Sequence, residues 1–371
     1  MENCEVLIVG GGPAGSSCAW KLRQNGMDVI VMDKAIFPRD KVCAGWITPA
    51  VVDALQLDIE DYSRNHVLQP ISSFRTGMID GSDVETQYED TVSYGIRRYE
   101  LDDYLLQRSG ARLQLGQPLK SLESNGNAWV VNDTLSALLV IGAGGHFCPV
   151  ARYMGAQIGA DEPAIKAKEI EFKMSPLQQL ECQVQGEMPE LYFCQDLKGY
   201  GWCFRKGDYL NIGLGREDNM GLAEQLEHFC DFLKQRGRVP QNIPNRFHGH
   251  AYLLHGHGMR KQVADGMLLI GDAAGLAYLE SGEGIRPAVE SGLLAAATIM
   301  EADGYYRNEQ LQPYASRLIE RFGVGDERGG IVPQFLRNLI AGTLLKSKWF
   351  TRHVVLNRWF LHNRQQPLQL N

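Results

Sequence analysis

A glycine-punctuated turn near the N-terminus restricts this chain more than any other feature. Gly10, Gly12 and Gly15 form a GxGxxG pattern between an apolar run over residues 4–10, predicted as a strand, and a predicted helix over residues 14–24. Residues 28–33 read as a second strand, so the chain opens as a βαβ unit. In that setting the glycines allow the tight turn, the close approach of a pyrophosphate to the backbone, and close packing of helix on strand. The helix N-terminus adds N–H groups and partial positive charge. Asp33 closes the second strand 23 residues beyond Gly10, where a carboxylate accepts the ribose hydroxyls of an adenosine. The turn therefore reads as a dinucleotide site built from Gly10, Gly12, Pro13, Ala14, Gly15, Asp33 and Lys34. By itself this register does not choose between FAD and NAD.

The far end of the chain makes that choice. Residues 267–275 read MLLIGDAAG, a buried strand that delivers Gly271 and Asp272 onto a turn of small residues. A carboxylate there accepts hydrogen bonds from a ribityl hydroxyl, although an Asp that only caps a helix would leave the same local pattern. The following SGEGIR places Gly282, Gly284 and Ile285 at the start of a long apolar helix, with Pro287 in its first turn, where a missing N–H costs nothing. A helix N-terminus aimed at a flavin stabilises the negative charge that builds up on reduction. Together the two segments specify FAD.

The rest of the sequence defines a frame for this site. With 371 residues, 44% hydrophobic and 22% charged, the chain can bury a full core and form two lobes. Residues 165–215 alternate with period two and are rich in aromatic and β-branched side chains, which predicts an antiparallel sheet. Residues 219–237 read as an amphipathic helix, and ALLVIGAGG as a strand ending at Gly142 and Ala143. The eight cysteines show no CxxC pair and no metal-ligand spacing, which predicts free thiols, no metal site and a cytoplasmic location. The N-terminal apolar run lacks the basic flank of a secretory signal. Of the net charge of −7, residues 328–371 carry +7, leaving −14 on the rest. An acidic body without a recognition motif argues against nucleic acid. The basic, aromatic tail suits peripheral contact with an anionic membrane, with Trp349, Phe350, Trp359 and Phe360 at the apolar boundary and Lys346, Lys348, Arg352 and Arg358 at the headgroups. A helix packed on the acidic body is the alternative.

The motifs also carry a resemblance. GxGxxG with its acid, RxxLD at Arg98 to Asp102 and the GD segment resemble the p-hydroxybenzoate-hydroxylase-fold flavoproteins. Within these, KVCAGWITPAVV around Cys43, YGWCFRKGDYLNIGLG and ESGEGIRPAVESG are most similar to the geranylgeranyl reductase family, over residues 9–292. The resemblance implies an α/β protein: a Rossmann-type FAD-binding domain (1–68, 98–158 and 259–305) with an inserted antiparallel β-sheet substrate domain (69–97 and 159–258) and a C-terminal helical, basic region (306–371). It places Arg98 near the FAD phosphates, the alternative being a surface arginine at a helix N-terminus, and Cys43 beside the isoalloxazine as a proton donor or filler. Tyr200 and Trp202 alternate with Gly201 and so share one face of a strand, where they either wall a substrate cavity over the flavin or pack in the core. Two departures stand out: GAGG puts Gly144 where the aromatic hydroxylases carry an Asp, and Arg205 replaces a proline.

The implied activity is reduction of carbon–carbon double bonds in a prenyl or similar apolar molecule by hydride from reduced flavin. NAD(P)H or a reduced redox protein would be the external electron donor. Gly144 argues against the rival monooxygenase, which would hydroxylate an apolar or aromatic substrate. A lipid-binding or electron-carrying flavoprotein without turnover is the third possibility. The sequence leaves the oligomeric state open.

Overall fold

The opening unit forms as its glycines require, with a strand Glu2–Val9, a helix Pro13–Gln24 and a strand Val29–Asp33. The strand stops one residue short of the predicted end because Gly10 turns out of it at φ +122°. A side chain there would stand 2.3 Å from the Ala143 carbonyl oxygen. The computed structural model describes the whole chain except residues 160–161, 219–220, 257–259, 325–342 and 370–371.

Two large sheets organise the chain. In the first, Met267–Leu269, Leu135–Gly142, Glu2–Val9, Val29–Asp33 and Arg112–Leu115 lie side by side in parallel, with Val263–Ala264 antiparallel at one edge. Its central strands are continuous apolar runs such as Val6 to Ile8 and Val29 to Val31, fully buried because helices cover the sheet. Each such side chain contributes about 1.5–3 kcal/mol of burial. Helix Ile285–Glu301 crosses Pro13–Gln24 so closely that a side chain at Gly292 would meet the Ala14 carbonyl oxygen at 2.4 Å.

The second sheet has seven strands, ordered His248–Tyr252, Ile165–Lys173, Tyr209–Arg216, Gly199–Lys206, Glu190–Phe193, Ser73–Met78 and Asp83–Gln87. It is antiparallel as predicted except where Glu190–Phe193 runs parallel to Ser73–Met78. Helix Leu222–Gln235 packs Leu226, Phe229 and Leu233 against Ile170, Ile212 and Leu214 on one face. It presses so close at Gly201 that any side chain there would lie 2.6 Å from Phe229. The neighbouring Tyr200 and Trp202 therefore point to the other face, towards the first sheet. A small third sheet orders Trp46–Ile47, Ser93–Ile96 and Leu68–Ile71 side by side, all antiparallel.

The C-terminal region packs on this body. Helix Asn308–Phe322 buries Leu311, Tyr314 and Leu318 in the first core, and the Tyr314 hydroxyl donates to the Leu269 carbonyl at 2.9 Å. Thr351–Phe360 is a π-helix whose Val355, Leu356 and Phe360 are buried with Trp46, Phe74 and Trp202. This corrects the placement of Phe360 at a membrane boundary: it is 3% exposed. Trp349, by contrast, is 65% exposed. Arg328 and Arg337 of the basic tail lie outside the described residues. Among the described residues, no helix is long and apolar enough to cross a membrane.

Candidate active site

A cavity of about 570 Å³ opens between the two large sheets, within the usual size range of cofactor and ligand sites. One end is the glycine turn. Gly10, Gly12, Pro13 and Ala14 line it, whereas Gly15 is required for packing, since a side chain there would lie 1.9 Å from the Gly10 carbonyl oxygen. Asp33 sits at the same end, its two carboxylate oxygens each accepting a backbone N–H, from Gly11 and Ala35, both at 2.8 Å. Those bonds fix its orientation and leave lone pairs for a ligand's hydroxyls. Lys34 and Ala143 complete this wall, but Gly142 stands behind it, packed against Leu269, Val150 and Cys148.

Two arginines, Arg39 and Arg98, line the cavity near the turn. Arg98 lines the cavity but forks onto the buried Asp102 at 2.6 and 2.8 Å and hydrogen-bonds the Cys43 side chain. Arg39 instead reaches the glycine turn: its Nη2 is 3.5 Å from where a Gly12 side chain would begin and 3.1 Å from Asp102. Its Nη1 is buried without a partner in the protein. A buried guanidinium donor left open beside a helix N-terminus fits a diphosphate. Sequence reasoning missed Arg39, whose only signal was its place in the loop that follows the second strand.

At mid-cavity the GD turn is held from behind. Arg260, 5% exposed, donates to the carbonyl oxygens of Asp272 and Ala273 at 3.3 and 3.2 Å and pairs with Glu162. Gly271 does not reach the cavity, and its N–H donates to the Ser291 hydroxyl at 2.9 Å. Asp272 does reach it, with His250 Nε2 at 3.7 Å, and Lys41 Nζ lies 2.7 Å from the same nitrogen. Burial alone would raise the Asp272 carboxyl, but the His250 bond and the Lys41 charge hold it below the usual carboxylate range. Burial lowers His250 and brings Lys41 down to about 8, against the pull of Asp272 in each case. His250 and Lys41 were not singled out from the sequence, where a lone histidine on a strand carries no spacing signal. Gly282, Gly284 and Ile285 close the cavity at the start of helix Ile285–Glu301. Gly284 leaves only 3.1 Å between a would-be side chain and Asp272.

The other end is aromatic. Cys43, Tyr200 and Trp202 all line it, together with Trp46, Tyr252 and Phe360. Tyr200 and Trp202 lie 6.1 Å apart, and Phe360 meets Tyr200 edge-on at 5.3 Å and stacks on Trp46 at 5.6 Å. Neither polar tip faces the chamber as a free donor. The Tyr200 hydroxyl donates to the Ser281 carbonyl at 2.6 Å and Trp202 Nε1 donates to Asn211 at 2.7 Å. Glu283 also lines the cavity. Burial raises its carboxyl to about 7, with Arg286 opposing, and its Oε2 has no partner nearer than His362 at 3.7 Å. Gly144 is on the cavity wall against Cys148, so no carboxylate stands at that position. Arg205 bonds the Gly207 carbonyl at 3.2 Å and takes no part in the cavity lining.

This donor set suits an elongated dinucleotide with a flavin: hydroxyl acceptors at Asp33 and Asp272, an open cation at Arg39, and glycines where bulk would obstruct. Among the described residues, no group of three or more His, Cys, Asp or Glu could hold a metal ion.

Comparison with known proteins agrees with that donor set. The FAD binding domain family model matches residues 3–316. The chain is 30% identical over 313 residues to a menaquinone reductase of Mycolicibacterium smegmatis, covering 73% of this chain and 70% of that protein. It is 26% identical over 284 residues to a digeranylgeranylglycerophospholipid reductase of Methanocaldococcus jannaschii, covering 73% and 70%. The fold resembles that of a geranylgeranyl bacteriochlorophyll reductase-like protein from Thermoplasma acidophilum, with a TM-score of 0.75 and 21% identity over 93% of this chain and 88% of that one. The chain belongs to the FAD binding domain family, as an FAD-dependent oxidoreductase of the geranylgeranyl reductase type.

Proposed function

We propose that this protein reduces carbon–carbon double bonds of a prenyl or other apolar lipid-like substrate. The observation that carries the reading is the continuity of one cavity, from the Gly10 turn to the chamber of Trp46, Tyr200, Trp202 and Phe360. The names of the reductase relatives support it. Bound FAD, once reduced, supplies hydride. The chain's own part is to seat the cofactor on Gly10, Gly12, Asp33, Arg39 and Asp272, to exclude water with the aromatic walls, and to hold a proton for the second carbon. Cys43, whose thiol is held by Arg98 and the Gly45 N–H, and Glu283, whose Oε2 has no hydrogen-bond partner, are the proton-bearing groups we assign to that task. The electron donor is NAD(P)H or a reduced redox protein that docks transiently. The protein acts in the cytoplasm, with its basic tail touching the inner face of an anionic membrane.

The test is anaerobic reduction of the bound FAD followed by addition of prenyl lipids. Lipid-dependent reoxidation is expected. Flavin that stays reduced until oxygen enters, with oxygen consumption stimulated by an apolar substrate, would replace this reading with the monooxygenase. Flavin that responds to neither would leave a carrier.

A further inference from the structure

The Cys43 loop is fastened to the second sheet by a buried polar cluster to which the proposed reaction assigns no role. Glu169 and Asn211, 6% and 1% exposed, lie on neighbouring strands of that sheet. Asn211 Nδ2 donates to the Cys43 carbonyl at 3.1 Å and to Glu169 Oε2 at 2.9 Å, while its Oδ1 accepts the Trp202 indole N–H at 2.7 Å. The Glu169 carboxylate accepts the Cys43 backbone N–H in turn. The backbone N–H and C=O of Cys43 are thus both held by side chains of the second sheet. Gly213 lies between them, and only its missing side chain lets the Trp202 indole lie flat enough to reach Asn211. Buried polar groups of this kind are costly unless every member is paired, and here each is.

We infer that Asn211 and Glu169 are positioning residues that lock the Cys43 loop and the Trp202 wall into one fixed geometry across the cofactor and the substrate chamber. The functional half of this inference rests on the proposed reduction, in which Cys43 lies between flavin and substrate. The geometric half does not. Burial brings the Glu169 carboxyl up to about 7, with Asn211, the Cys43 N–H and Lys206 opposing and Glu171 adding to the rise. The cluster therefore sits near the point of gaining a proton.

Alkylation of Cys43 in the FAD-loaded protein tests the lock without turnover, because the other seven cysteines are buried. Asn211→Leu keeps the volume and removes all three of its bonds. It should speed carbamidomethylation of Cys43 roughly tenfold, the change in a local opening equilibrium that losing the one bond to the Cys43 carbonyl produces. It should also shift the visible spectrum of the bound flavin. Glu169→Gln keeps the shape and one acceptor, and should show a smaller effect of the same sign; it carries the test if Asn211→Leu does not fold. Ile212→Val, on the opposite face of the same strand, should lower the melting temperature and leave alkylation unchanged. Wild-type alkylation rates and flavin spectra in both cluster variants would overturn the inference. A wild-type protein that no prenyl lipid reoxidises would overturn the proposed reaction and leave the lock standing.

Discussion

Gly213→Ala should damage the substrate wall, and the structure sets the size of the effect. Gly213 lies in extended strand, so an alanine is conformationally acceptable and the cost is purely steric. Its methyl would begin 2.2 Å from Trp202 Cζ2, 2.5 Å from Cε2 and 2.9 Å from the Glu169 Cβ. To restore ordinary contact near ~3.5 Å the indole must retreat by more than ~1 Å. That movement breaks the 2.7 Å bond from Trp202 Nε1 to Asn211 and leaves a buried donor unpaired. Overpacking costs ~1–3 kcal/mol and the unpaired N–H another ~1–3 kcal/mol, so ~2–6 kcal/mol is expected in total. With an unfolding entropy of ~2.1 cal/mol/K per residue over this length, that is a fall of ~3–8 °C in Tm. Gly215→Ala is the control two residues along the same face. There the nearest atoms, Ala167 Cβ, Trp202 Cζ3 and the Tyr252 hydroxyl, stand at 3.7–3.8 Å. Its Tm should stay within ~1 °C of wild type. Thermal melts of the FAD-loaded variants, followed by lipid-dependent reoxidation, check both. Equal melting of the two variants, or a Gly213→Ala protein indistinguishable from wild type, would refute the packing argument.

Other outcomes follow from the site. Arg39→Met should weaken FAD binding by ~10–100-fold, the loss of a charge-assisted hydrogen bond of ~1.5–3 kcal/mol, in a fluorescence titration of apoprotein; unchanged affinity would return the phosphate role to Arg98. Glu283 is raised from its ordinary 4.5 to about 7, so the folded state holds its proton longer than the unfolded chain. Its contribution is full below pH ~4.5 and is lost as pH rises through ~7, a change of ~3 kcal/mol over that window. Relative to Glu283→Gln, the wild type should therefore lose Tm between pH 4.5 and 7; parallel curves would show that the carboxyl is not desolvated. Co-sedimentation with anionic vesicles should fall with salt and fall further in Trp349→Ser, given the exposed indole beside Lys348 and Arg352. Binding indifferent to salt and to lipid charge, or none, would remove the membrane proposal.

What the sequence determined is local. The tight turn at Gly10, the βαβ opening, the strand-to-turn delivery of Asp272 and the shared face of Tyr200 and Trp202 all follow from backbone conformation and from periods of 2 and 3.6. Those rules act over a few residues, so they can be read without neighbours. Tertiary structure decided which arginine meets the turn. Arg98 had the motif, but its helix leans it onto Asp102 and Cys43, and Arg39 takes the place beside Gly12. It also brought Lys41 to His250, 209 residues away, and put Phe360 over a chamber it shares with Trp46. Such meetings depend on how two sheets close on each other. No periodicity encodes that closure, because it is set by the summed packing of side chains such as Phe229 on Gly201 and Trp202 on Gly213.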